Sequence, residues 1–117
     1  MKFLVLLIGE GELPAWDMLT EEEQAAGLGK FEEFDTACRN RDGVSILSGE
    51  ALAPMNSSTV VKTRGGRTTL TEGPYAEALE GLGGFFLIEA PDLDVLTELL
   101  TILPAYDMQI VPAVDQV

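Results

Sequence analysis

The run Thr59-Val60-Val61-Lys62-Thr63-Arg64, Gly65-Gly66, Arg67-Thr68-Thr69-Leu70-Thr71-Glu72 constrains the fold more than any other part of the sequence. Two β-rich arms joined by Gly-Gly predict a tight hairpin, because a two-residue loop of this kind needs left-handed backbone at both central positions. The loop length fixes the register: Arg64 faces Arg67, Thr63 faces Thr68, Lys62 faces Thr69, Val61 faces Leu70 and Thr59 faces Glu72. Alternation then gathers Thr59, Val61, Thr63, Thr68, Leu70 and Glu72 on one side, and Val60, Lys62, Arg64, Arg67, Thr69 and Thr71 on the other. Glu72 is expected at the rim of an apolar surface, at the head of a Gly73-Pro74 bend. The opposed arginines repel one another unless a carboxylate, an anion or solvent lies between them.

The remaining pattern is arranged around that hairpin. Phe3 to Ile8 is an apolar run without alternation, which predicts a central strand covered on both faces. Gly9 to Leu19 is an eleven-residue connection containing Trp16 and Pro14. Loops of this length often close over sites, although a tryptophan there also serves to pin the loop to the core. A dinucleotide loop is excluded at Gly9-Glu10-Gly11, since the third glycine is missing, Pro14 intervenes and two glutamates would repel a pyrophosphate. Thr20 and Glu23 form a capping box that starts a helix running to about Arg41, with Leu28, Phe31, Phe34 and Cys38 on its apolar face. Gly27 and Gly29 either weaken this helix or mark close approach to a neighbour. Val44 to Leu52 is the second strand, and Gly84 to Ala90 the strand after the hairpin. Asp92 caps a second helix whose buried face is Leu93, Leu96, Leu99, Leu100 and Leu103, closed by Pro104. Met108 to Val114 is the last strand, with Pro112 marking an edge or bulge.

The order strand, helix, strand, hairpin, strand, helix, strand predicts one α+β domain over residues 1–117: a ferredoxin-like split β-α-β sheet with an inserted hairpin and both helices on one face. The other face would carry Phe3 or Leu4 together with members of the 85–89 strand. Several hundred Å2 of such apolar area would be worth several kcal/mol at about 25 cal/mol per Å2, so a homodimer packed sheet to sheet, a dimeric α+β barrel, is expected.

Seven basic residues against twenty acidic ones give a net charge of −13. Such a surface repels phosphate, so neither nucleic acid nor an anionic membrane is an expected partner. Cys38 is the single cysteine, which excludes an intramolecular disulfide, and it is read as a small buried thiol. Phe3 to Ile8 is too short for a signal segment or a membrane span, so a cytoplasmic location is expected. With no histidine, and with Glu10, Glu12 and Asp17 off the EF-hand spacing, no metal is expected.

Glu72-Gly73-Pro74-Tyr75, Ala76-Glu77 and Leu82-Gly83-Gly84-Phe85-Phe86-Leu87-Ile88-Glu89 resemble the signature of YCII-related proteins of the DGPF type. Gly49-Glu50 with Leu52 and Pro54, and the opening strand with its tryptophan loop, are similar in place and type. The resemblance implies a ferredoxin-like dimer among small bacterial proteins, mostly of undefined function and sometimes associated with extracytoplasmic-function sigma-factor systems. A related branch includes a dehydrochlorinase acting on a chlorinated hydroxyquinol through a His-Asp pair. The present chain departs from that pattern: it lacks histidine, carries Glu72 and Tyr75 where the motif has aspartate and phenylalanine, and has Leu79 where a lysine is usual.

Glu72 is the candidate general base or acid, because partial burial beside Val61 and Leu70 would make it a better proton acceptor. Tyr75 is the candidate hydrogen-bond donor to it or to substrate. Trp16, Glu50 and Arg67 are candidate substrate contacts. Together they suit cofactor-free lyase or isomerase chemistry on a small, aromatic molecule. The alternative is a non-catalytic ligand-binding or accessory module in which Glu72 simply accepts backbone hydrogen bonds at the turn.

Overall fold

The computed structural model describes residues 1–9, 14–75 and 81–114. Strand β1 (Lys2–Ile8) is the centre of a four-stranded antiparallel sheet, flanked by β5 (Leu82–Glu89) and β6 (Met108–Pro112). Strand β2 (Ser45–Ala51) pairs with the far side of β5, which gives the order β2-β5-β1-β6. Helix α1 (Glu21–Arg39) joins β1 to β2, and helix α2 (Leu93–Leu100) joins β5 to β6. Each helix therefore links two parallel strands with a third strand between them, the ferredoxin-like split β-α-β arrangement expected from the sequence. Strands β3 (Thr59–Arg64) and β4 (Arg67–Glu72) form a separate two-stranded sheet inserted between β2 and β5.

Local chemistry sets the helix starts. The Thr20 hydroxyl accepts from the Glu23 amide at 3.1 Å and the Glu23 carboxylate accepts from the Thr20 amide at 2.9 Å, which completes the capping box. Asp92 caps α2 by accepting from the Val95 amide at 2.9 Å. Phe34 and Cys38 are buried on α1, whereas Leu28 is 56% exposed. At 100° per residue Leu28 lies about 90° from the centre of the Phe31–Phe34–Cys38 stripe, and Gly27 lies near that centre instead. Leu93 is likewise exposed at the first position of α2, while Leu96, Leu99, Leu100 and Leu103 are buried.

The two faces of the main sheet differ sharply. Phe3 and Val5 point to the helices with Ile88 and Phe86 and join Phe34 and Leu96 in the core. Phe3 thus belongs to the helical side, and Leu4 is the residue on the other face. Cross-strand pairs put Leu4 opposite Leu87 and Val111, and Leu6 opposite Phe85. These five side chains form an apolar band across three strands on the face away from the helices, with Val111 exposed and the other four half-buried. β1 is central, with one face packed on the helices and the other bearing this band, the face on which a second copy is expected from the sequence.

The hairpin has the expected register from Thr59↔Glu72 to Arg64↔Arg67. Gly65 and Gly66 turn it with φ of 57° and 77°, the left-handed pair a two-residue loop of this type needs. Pro112 ends β6, the edge strand, where its missing amide costs no ladder bond.

Candidate functional site

The bend after β4 is where the sequence directs attention. Gly73 has φ of 97°, and its amide donates to the Ser58 carbonyl at 2.8 Å, which ties the base of the hairpin together. A side chain at that φ would be strained, so the bend requires glycine. Glu72 precedes it on the hairpin side that bears Val61 and Leu70, and all three are exposed. Tyr75 follows it, 70% exposed, with its ring 5.4 Å from the Lys62 Nζ in a cation–π contact. Lys62 belongs to the hairpin face opposite Glu72. The bend therefore sends Tyr75 to the basic side and leaves Glu72 on the apolar side. Residues 76–80, including Glu77 and Leu79, lie outside the described residues, as do Glu10 and Glu12.

The other candidate residues are distributed over three places. Glu50 is on β2 opposite Phe85, and so on the open face of the main sheet beside its apolar band. Arg67 stands at the hairpin tip opposite Arg64, whose guanidinium donates to the Thr63 carbonyl at 3.0 Å. Trp16 sits in the helical layer. It opens a single 3-10 turn, Trp16–Met18, and its ring edge lies 3.2 Å from where a side chain on Gly27 would begin. Gln24 Nε2 donates to the Trp16 carbonyl at 2.8 Å, so the loop is fastened to α1.

That packing builds a groove that sequence patterning alone misses. It has a volume of about 340 Å3, with Trp16, Pro104 and Tyr106 among its walls, Ala26 and Gly27 on its α1 side, and Glu23 and Lys30 on its polar margin. Tyr106 also leans on Phe31, ring centres 6.1 Å apart. The available signal was an aromatic residue just after the Pro104 stop, together with a glycine at the centre of the apolar face of α1. The groove offers aromatic walls and one residue of each charge, a lining suited to a small planar molecule with a polar end.

Cys38 is buried beneath α1, and burial pushes its thiol up from 9.0 to about 11. It is a core side chain and not a nucleophile at neutral pH. Among the described residues no helix is long and apolar enough to cross a membrane.

An antiparallel four-stranded sheet with two helices on one face, an open apolar face on the other and a carboxylate-bearing hairpin defines a ferredoxin-like α+β domain. Within that class the chain belongs to the YCII-related family, whose domain model matches residues 3–115. No curated protein is a significant match.

Proposed function

We propose that this protein works as a homodimeric small-molecule-binding module, without a cofactor, in which two copies pack through the open faces of their main sheets. The observation that carries this reading is the apolar band of Leu4, Leu6, Phe85, Leu87 and Val111, continuous over β1, β5 and β6 on the face away from the helices and still partly exposed in a single chain. Removing such a band from water is worth several kcal/mol at about 25 cal/mol per Å2. A second copy supplies a surface of the same shape and chemistry by symmetry. Glu50 then stands at the margin of the seam as a polar ligand contact, and the hairpin carries Glu72 and Arg67 towards its mouth. Trp16 and its groove are a separate contact surface in the helical layer. An accessory role in sigma-factor regulation is compatible with this module.

The test is mass in solution. Sedimentation of wild type should give about twice 12.6 kDa, and Leu6→Asp should give the monomer with unchanged circular dichroism. A wild type that remains monomeric at about 100 µM (a concentration of order ten times a weak dimer's dissociation constant) would exclude the reading.

A second reading, cofactor-free lyase or isomerase chemistry with Glu72 as base, is favoured by one feature. Glu72 shares its hairpin face with Val61 and Leu70, so a ligand held against that apolar face would meet the carboxylate. Thermal-shift screening of small aromatic acids and phenols, wild type beside Glu72→Gln, separates the two. The binding-module reading predicts ligands that stabilise both forms and are recovered unchanged. Turnover by wild type that is lost in Glu72→Gln would establish the catalytic reading instead.

A further inference from the structure

We infer that the β3–β4 hairpin is an arm that lies on the second copy of the chain with Val61 and Leu70 inward, so that each Glu72 stands at the partner's sheet and the cleft is built by both chains. The inference rests on the homodimer proposed above and adds the part the hairpin plays in it.

Three observations lead to it. The first is the lack of cover. β3 and β4 pair with one another and with no strand of the main sheet, and every residue from Val61 to Glu72 is exposed. Val61 and Leu70, directly opposed on one face, are 62% and 70% exposed. An isolated two-stranded hairpin is marginal in water and gains independent stability from a further strand or an apolar surface beneath it.

The second is reach. The Cα radius of gyration is 16.5 Å, where a compact chain of this length has about 13 Å. The extents are 50 × 43 × 18 Å, and the shortest of them is close to one sheet with one helical layer. The chain is broad and thin, and among the described residues the hairpin's substantial contacts are those between its own two strands.

The third is charge. The hairpin holds Lys62, Arg64 and Arg67, three of the seven basic residues, and one of the twenty acidic ones, Glu72; the rest of the chain is left with nineteen acids against four bases. A positive arm on a strongly negative body is complementary to the body of a second copy, and the attraction acts over about 10 Å at 0.1 M salt. Val61 and Leu70 supply the contact, and the basic side chains, on the opposite face of the ribbon, add a longer-range attraction towards the partner's acidic body.

The test exchanges Val61 and Leu70 for threonine together. Thr–Thr pairs suit this hairpin, which already has the Thr63 and Thr68 hydroxyls 2.9 Å apart, so the ribbon is retained. An arm seated on the partner predicts a dimer dissociation constant raised by at least about tenfold in V61T/L70T, with unchanged circular dichroism. It also predicts that trypsin cuts the Arg64–Gly65 bond at least about tenfold more slowly in the wild-type dimer than in the Leu6→Asp monomer, read by fragment mass. A wild-type dimer whose affinity survives V61T/L70T and whose tip is cut at the monomer rate would overturn the arm and leave the homodimer standing. A wild type that is monomeric throughout would overturn both.

Discussion

Cys38 lies 1% exposed in the core, and burial raises its thiol to about 11 because a thiolate there would be stripped of water. In the unfolded chain the same thiol ionises near 9. Below pH 9 both states hold the proton and the group contributes no pH dependence. Between 9 and about 11 the unfolded state loses its proton first, so the thiol's contribution to stability falls as pH rises. The full loss is of order 2–3 kcal/mol, since a tenfold change in an ionisation constant corresponds to about 1.4 kcal/mol. Urea unfolding at pH 8 and pH 10.5 should show most of this loss, about 2 kcal/mol, in wild type, with a smaller one in Cys38→Ala, whose overall stability is lower by about 1–2 kcal/mol for the vacated volume. A disulfide reagent at pH 8 should label Cys38 only as fast as the chain opens. At this scale the sequence was a good guide to Cys38, because a small apolar side chain on a helix stripe has one usual fate. It was a poor guide to Glu72 and Tyr75 as a pair. Three residues of separation suggest proximity, but the positive φ at Gly73 and the pull of Lys62 on the ring send Tyr75 to the other side of the ribbon.

Two glycines of one helix make a contrast that belongs to the element. A side chain on Gly27 would meet the Trp16 ring at 3.2 Å, whereas one on Gly29 would meet nothing within 4 Å. Gly29→Ala is therefore expected to stabilise the protein by up to about 1 kcal/mol, the ordinary helix preference for alanine. In Gly27→Ala that gain is offset by displacement of the indole. Because Trp16 is the single tryptophan, the displacement should appear as a shift in fluorescence that Gly29→Ala leaves untouched. Thr20→Ala removes the hydroxyl half of the capping box and should cost about 1 kcal/mol in thermal or urea unfolding. These starts and stops were legible because caps are written in a few adjacent residues. The hairpin register was legible for the same reason, the Gly-Gly loop leaving no other alignment of Val61 with Leu70. What covers that face was not, since alternation sorts side chains into two sides and says nothing of which side meets another surface. The Trp16 groove was hidden for a related reason: it is assembled from Gly27 and Tyr106, far apart in sequence and brought together by α1 packing beside the turn after α2.

For the molecule as a whole, charge sets the response to salt. Among the described residues the ion pairs are Arg39–Asp35 and Arg41–Glu98, both on the surface, the second at 3.2 Å. Exposed pairs of this kind contribute about 0–1 kcal/mol each, so their loss to screening is small. Against them stands a net charge of −13, whose self-repulsion disfavours the compact state and, between two copies, disfavours association as well. Raising salt from 0.01 M to 0.1 M shortens the screening length from about 30 Å to about 10 Å, which weakens repulsion spread over the whole body more than the short-range pairs. The arm's attraction is screened too, but it involves three bases while the repulsion involves most of the acids. The melting temperature at fixed protein concentration is therefore expected to rise with sodium chloride over this range, the reverse of a protein held by surface ion pairs. Glu32→Gln with Glu33→Gln, two exposed changes on α1, should raise it at low salt and lose that effect at high salt. A melting temperature that falls as salt is added would mean that attraction between specific pairs, and not diffuse repulsion, dominates the electrostatics of this fold.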